Sequence, residues 1–161
     1  MAARHLDNWG IPVEVVLVGD PQKVVGVART HREILERLSV PVTHVSSLLD
    51  WNRWTKKSRR HRLVIDALLG TGVSGEVREP IRSVIQWMNR HPCPIVSVDL
   101  PSGLSSDTGL PCGVSVKAAV TVTCGLRKVG LSKGQGRAFS GRVVVADISL
   151  PRALTGAAWK D

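Results

Sequence analysis

The chain has 161 residues, 43% of them hydrophobic, which suits one domain with a single substantial core. Its 22 Lys and Arg against 13 Asp and Glu leave a formal net charge of +9, favouring anionic partners without choosing among nucleotides, nucleic acid and acidic surfaces. No apolar run reaches the roughly 20 residues that span a bilayer, the start Met1-Ala2-Ala3-Arg4-His5 is not a leader pattern, and Cys93, Cys112 and Cys124 show no CxxC spacing. On these features no membrane anchor, disulfide framework or zinc site is expected, and a soluble cytoplasmic protein is.

Ala2 to Trp9 reads as the end of a helix closed by Gly10 and Pro12. Val13 to Gly19 follows as a strand, and Asp20-Pro21 opens a helix to about Leu38, with Asp20 as N-cap and Val24, Val27, Ile34, Leu35 and Leu38 as its buried stripe. Val40 to Val45 suits a second strand, and Ser46-Ser47 caps a short helix through Trp54. Trp51 and Trp54, three apart on that helix, are expected to pack together rather than offer a stacking platform. The basic run from Lys56 to Arg62 lacks interleaved aromatics and reads as a solvated edge, so nucleic acid is not expected as a partner.

Leu63 to Asp66 is an apolar strand ending in an acid, followed by Gly70-Thr71-Gly72-Val73-Ser74-Gly75-Glu76. A helix from about Glu79 to Arg90, with Pro80 in its first turn, leads to a second strand of the same grammar, which ends in Val98-Asp99-Leu100-Pro101-Ser102-Gly103. Ala118 to Cys124 and Gly141 to Leu150 are the last strands. Strands separated by helices of about a dozen residues imply right-handed crossovers and a mainly parallel sheet, so both acids should sit at carboxyl ends of strands, where open α/β sheets bind ligands.

Each candidate has a plain structural alternative. The small residues from Gly70 to Glu76 could let backbone amides approach a diphosphate, or could simply connect strand to helix; they form neither the dinucleotide glycine fingerprint nor a Walker loop. Asp66 could cap the next turn or hold a hard cation with other oxygens. Asp99 could cap the turn at Ser102 or transfer a proton. Lys128, directly after a strand, could neutralise a phosphate or lie solvated. His5, His31, His44, His61 and His91 show no ligand spacing.

Val64 to Gly72, Ser97 to Leu104 with Asp107-Thr108-Gly109 behind it, and Ala119 to Thr123 leading to Lys128-Val129-Gly130-Leu131 together resemble the YjeF N-terminal domain, the NAD(P)H-hydrate epimerases, essentially from end to end. The resemblance implies a Rossmann-like three-layer α/β/α fold and an isomerase of metabolite repair that interconverts the R and S forms of hydrated NADH and NADPH, in a homodimer. It further implies that Asp66 and Ser102 are potassium ligands, that Gly70, Thr71, Gly72, Val73, Ser74, Gly75 and Glu76 form the substrate loop, and that Asp99 is the acid in contact with substrate. Family members carry a first strand and a Gly-Asn-Asn-Gly-Gly-Asp-Gly loop ahead of the stretch corresponding to Ala2 to Leu6. The expectation is therefore a chain that begins after that loop, lacks the first strand of its sheet, and is incomplete as an enzyme. The alternative from another class is a non-catalytic nucleotide- or RNA-binding and dimerisation module of the same fold, as in an RNA-decapping scaffold, which the charge of +9 suits. Retention of Asp66, Asp99 and Ser102 together favours the enzyme.

Overall fold

Alternating apolar strands and amphipathic helices give a pairing pattern in which every strand runs parallel to its neighbours. The computed structural model describes residues 1–38, 40–58, 61–151 and 153. These residues form two compact units, one carrying Met1–Ser58 with Glu79–Ile81 and the other the remainder. Among the described residues no helix is long and apolar enough to cross a membrane.

The first unit runs α1 (Ala2–Asn8), β1 (Val15–Val18), α2 (Gly26–Arg37), β2 (Val42–Val45) and α3 (Leu48–Lys57). Strand β1 pairs with β2 in a register from Val15 opposite Val42 to Val18 opposite Val45. Asp20 caps as its position predicts, accepting from the Gln22 amide at 2.9 Å, but the helix expected from it is interrupted. A single 3-10 turn at Pro21–Lys23 gives way to extended Val24 and Val25 before α2 begins. Two consecutive β-branched residues are stiff and favour extended backbone, which is why the break falls there. At α3 the Ser47 side chain accepts from the Asp50 amide and Asp50 reaches back to the Ser46 amide, both at 3.2 Å, a reciprocal cap. On this helix Trp51 is buried and stacks on Trp54 with ring centroids 4.9 Å apart, the packing pair expected. Lys56 and Lys57 lie in its last turn, where they complement the helix dipole; Arg59 and Arg60 of the basic run lie outside the described residues.

The second unit holds the four-stranded sheet in the order β3 (Val64–Asp66), β4 (Ile95–Val98), β5 (Val120–Cys124), β6 (Arg142–Ala146). Helix α4 (Ile81–Arg90), two residues shorter at its start than expected, connects β3 to β4 and buries Val84, Ile85 and Met88. The burial of β5 alternates, with Thr121 and Thr123 fully inside, and each hydroxyl has an acceptor: Ser140 carbonyl at 2.7 Å and Asp99 Oδ1 at 3.3 Å. A buried hydroxyl without such a partner would be costly. A 3-10 turn at Val129–Leu131 and α5 (Gly136–Ser140) arise in the glycine-rich region that carries no apolar periodicity. Backbone packs on backbone there: a Cβ on Gly136 would come within 1.7 Å of the Gly130 carbonyl. Leu100, Leu104 and Leu131, each 1% exposed, pack with Phe139 and Val143 to form the core beneath the turn that follows β4.

Candidate functional site

The two sheet-end acids lie at the carboxyl ends of adjacent strands. Asp66 is the last residue of β3 and stands opposite Ser97 in the parallel register, while Asp99 follows directly on β4. That register explains the first contact of the site: the Ser97 hydroxyl donates to Asp66 Oδ2 at 2.7 Å.

Asp66 is 1% exposed and its carboxyl is surrounded by donors. Oδ2 also accepts from the Ser102 amide at 2.9 Å, and Oδ1 accepts from the Ser102 hydroxyl at 2.5 Å and, more weakly, from the Leu68 amide at 3.5 Å. The Ser102 Oγ in turn accepts from the Leu69 amide at 2.9 Å. Asp66 and Ser102 are thus brought together, and they tie the start of the glycine loop to the turn after β4. Gly103 makes that turn possible: its φ is +86°, and a Cβ there would sit 2.1 Å from the Val114 carbonyl oxygen.

The loop from Gly70 to Glu76 is exposed except for half-buried Val73. Its far end is fastened where the Val77 amide donates to the Cys112 carbonyl at 2.9 Å and where Arg82 donates to both Glu76 and the Val77 carbonyl at 3.2 Å. Gly75 needs a small residue for its φ of +74°, but Gly70 and Gly72 have ordinary φ and open space where a Cβ would stand. Neither packing nor backbone geometry demands glycine at 70 or 72. A molecule approaching the loop backbone closely would.

Asp99 adopts φ +70°, a left-handed conformation uncommon outside glycine but tolerated by Asp. Its amide donates to the Val122 carbonyl at 2.7 Å. Three donors converge on one carboxylate oxygen, Oδ1: the Cys124 amide at 2.9 Å, the Thr123 hydroxyl at 3.3 Å and the Lys128 ammonium. Among the described residues no donor reaches Oδ2, and the side chain retains 28% exposure. Burial works to raise the Asp99 pKa, but the Lys128 ammonium and the Cys124 and Thr123 donors outweigh it and hold the carboxyl below the usual carboxylate range.

Lys128, which the sequence offers either as a cation for a phosphate or as a solvated residue, contacts Asp99 Oδ1 and, at 3.0 Å, the Cys124 carbonyl. Sequence reasoning missed Ser97, Thr123 and the Cys124 amide. Their signal was a polar residue at an inward position of an apolar strand, level with or facing an acid.

Beside the amide donors of Leu68 and Ser102, the Asp66 carboxylate, the Ser102 Oγ and the Leu69 carbonyl, 3.4 Å from that Oγ, bring several oxygens together. Such a set suits a hard cation in type. Among the described residues no three His, Cys, Asp or Glu side chains come together to favour a softer metal.

The chain matches the family described as YjeF-related protein N-terminus over residues 1–130. It is 36% identical over 148 residues to an NAD(P)H-hydrate epimerase of Oenococcus oeni, covering 92% of this chain and 66% of that protein. It is 40% identical over 158 residues to a bifunctional NAD(P)H-hydrate repair enzyme of Salinibacter ruber, covering 94% of this chain and 29% of that one. A crystal structure of the yeast protein ynu0 (YNL200c) shares the fold, with a TM-score of 0.76 at 23% identity over 96% of this chain and 62% of that chain. The chain therefore spans less than two thirds of each of these relatives.

Proposed function

Because the chain belongs to the YjeF-related N-terminus family, we propose that it is an isomerase which interconverts the R and S forms of hydrated NADH and NADPH. The observation that carries this reading is the half-bonded carboxylate of Asp99: Oδ1 is held by three donors while Oδ2 is left open at the end of β4. The epimerase name of the Oenococcus oeni relative supplies the substrate class.

The backbone from Gly70 to Glu76 takes the nucleotide diphosphate, with the open positions at Gly70 and Gly72 allowing close approach and the Thr71 and Ser74 hydroxyls adding donors. The hydrated ring carbon, bearing a hydroxyl and bonded to the ring nitrogen, lies against Asp99. Oδ2 accepts the hydroxyl proton as the carbon–nitrogen bond breaks and the nitrogen takes the electron pair. The resulting carbonyl carbon is planar and has lost its configuration. Reclosure on either face, with the proton relayed back through Oδ2, gives either epimer. An ionised carboxylate of depressed pKa is suited to carry that proton briefly rather than to keep it.

Potassium belongs to the same proposal. Asp66 and Ser102 would hold it, with the Ser102 hydroxyl turning from Oδ1 to present a lone pair, and the ion would offset negative charge of the bound nucleotide. The three cysteines, none in a disulfide, agree with a reducing cytoplasmic setting. A homodimer, the remaining expectation, is tested by sedimentation.

The experiment is direct. Pure S-hydrate is incubated with the protein, with potassium and with sodium in its place, and the R-hydrate is separated and timed. Equilibration above the spontaneous rate, faster in potassium, is expected; no acceleration in either salt would refute the reading.

A further inference from the structure

Lys128 is half-buried beside Asp99, and its ammonium is spent on protein atoms. We propose that Lys128 is a positioning residue: with the Cys124 amide and the Thr123 hydroxyl it pins Oδ1 of Asp99, so that Oδ2 alone is presented to the ligand. This rests on the epimerase reading only for the identity of that ligand; the pinning itself is a property of the chain.

Three observations carry it. Donors from one continuous segment, Thr123 to Lys128, all converge on the same oxygen. The ammonium has a second acceptor in the Cys124 carbonyl at 3.0 Å, which fixes its stem over the end of β5 and leaves it little freedom to follow a phosphate. The residue it holds has a backbone in the left-handed region, φ +70°, a conformation that persists only where the surroundings over-determine it. Among the described residues Lys128 is the charged group in contact with Asp99, and Thr123 and Cys124 contribute neutral donors. A lysine here thus fixes both the orientation of the carboxylate and its charge state, and a bidentate arginine is not required because only one oxygen is to be tied.

The test uses Lys128→Met and Lys128→Arg in the full-length protein. Carbon-13 detected titration of the Asp99 carboxylate, in the absence of ligand, should show its pKa rising in the Met variant and staying near the parent value in the Arg variant. In hydrate interconversion the Met variant should lose roughly ten- to a hundredfold in kcat, the range a misplaced group costs, with KM little changed and the acid limb of the pH profile moved upward; Arg should restore most of it. Unchanged titration of Asp99 in Lys128→Met overturns the proposal. So does a rise in KM with kcat and acid limb intact, which would make Lys128 a direct phosphate ligand. Should the parent protein interconvert no hydrate at all, the titration still decides the pinning while the epimerase reading alone falls.

Discussion

Asp66 and Ser102, 36 positions apart, are joined twice: the Ser102 amide donates to Oδ2 at 2.9 Å and its hydroxyl to Oδ1 at 2.5 Å. With Ser97 and Leu69 added, one buried carboxyl gathers the ends of β3 and β4, the turn after β4 and the start of the glycine loop. Stability and site geometry are set by the same side chain.

Asp66→Ala would remove the acceptor of the Ser97 hydroxyl and the Ser102 amide and leave the Ser102 hydroxyl only its weak contact with the Leu69 carbonyl at 3.4 Å. A loss of about 3 kcal/mol is expected from such stranded donors. Urea unfolding should show a lower Cm at unchanged m. Ser102→Ala, which strands fewer groups, should cost about half as much.

Gly70→Ala and Gly72→Ala should leave stability within about 0.5 kcal/mol of the parent, since an added methyl meets open space. Their KM for hydrated nucleotide should nevertheless rise roughly tenfold, as expected when a backbone can no longer approach its ligand closely. Gly130→Ala is the contrasting control: its Cβ would come within 2.1 Å of the Ser105 carbonyl, so a destabilisation of about 2 kcal/mol or more is expected wherever the binding loop lies. Thermal melts and steady-state kinetics on the three variants separate the two kinds of glycine.

The depressed pKa of Asp99 gives stability a definite pH dependence. Because the folded value lies below the unfolded one of about 3.9, the stabilisation from ionised Asp99 is fully present above that pH and is lost as pH falls through the folded value. Asp99→Asn keeps the left-handed backbone but cannot form the ion pair. Parent and variant should therefore differ in unfolding free energy at pH 6 and converge on strong acidification; a constant difference would contradict the assignment.

Much of this was legible in the sequence, and the reasons are local. Asp66 and Asp99 each close a short apolar run and precede turn-forming residues, so their place at strand ends followed from composition and spacing alone. The contact of Asp66 with Ser102 could be expected only from the family resemblance, because it depends on how a turn after β4 folds back over β3. The partnership of Lys128 with Asp99 was hidden for a different reason. It arises from a 29-residue separation and from the unusual backbone of Asp99, neither of which leaves a periodic trace. Likewise the break at Val24 and Val25 falls inside a stretch whose apolar spacing still reads as helix, and only the stiffness of two adjacent β-branched residues foretells it.

The measurement closest to the central claim is the rate at which pure S-hydrate of NADH becomes the R form with Asp99→Asn beside the parent, both shown to be folded. Loss of the open carboxylate oxygen should slow interconversion by about a hundredfold or more, with nucleotide binding retained. Equal rates for parent and variant would contradict the account, because the oxygen left free by Thr123, Cys124 and Lys128 would then have no part in the reaction.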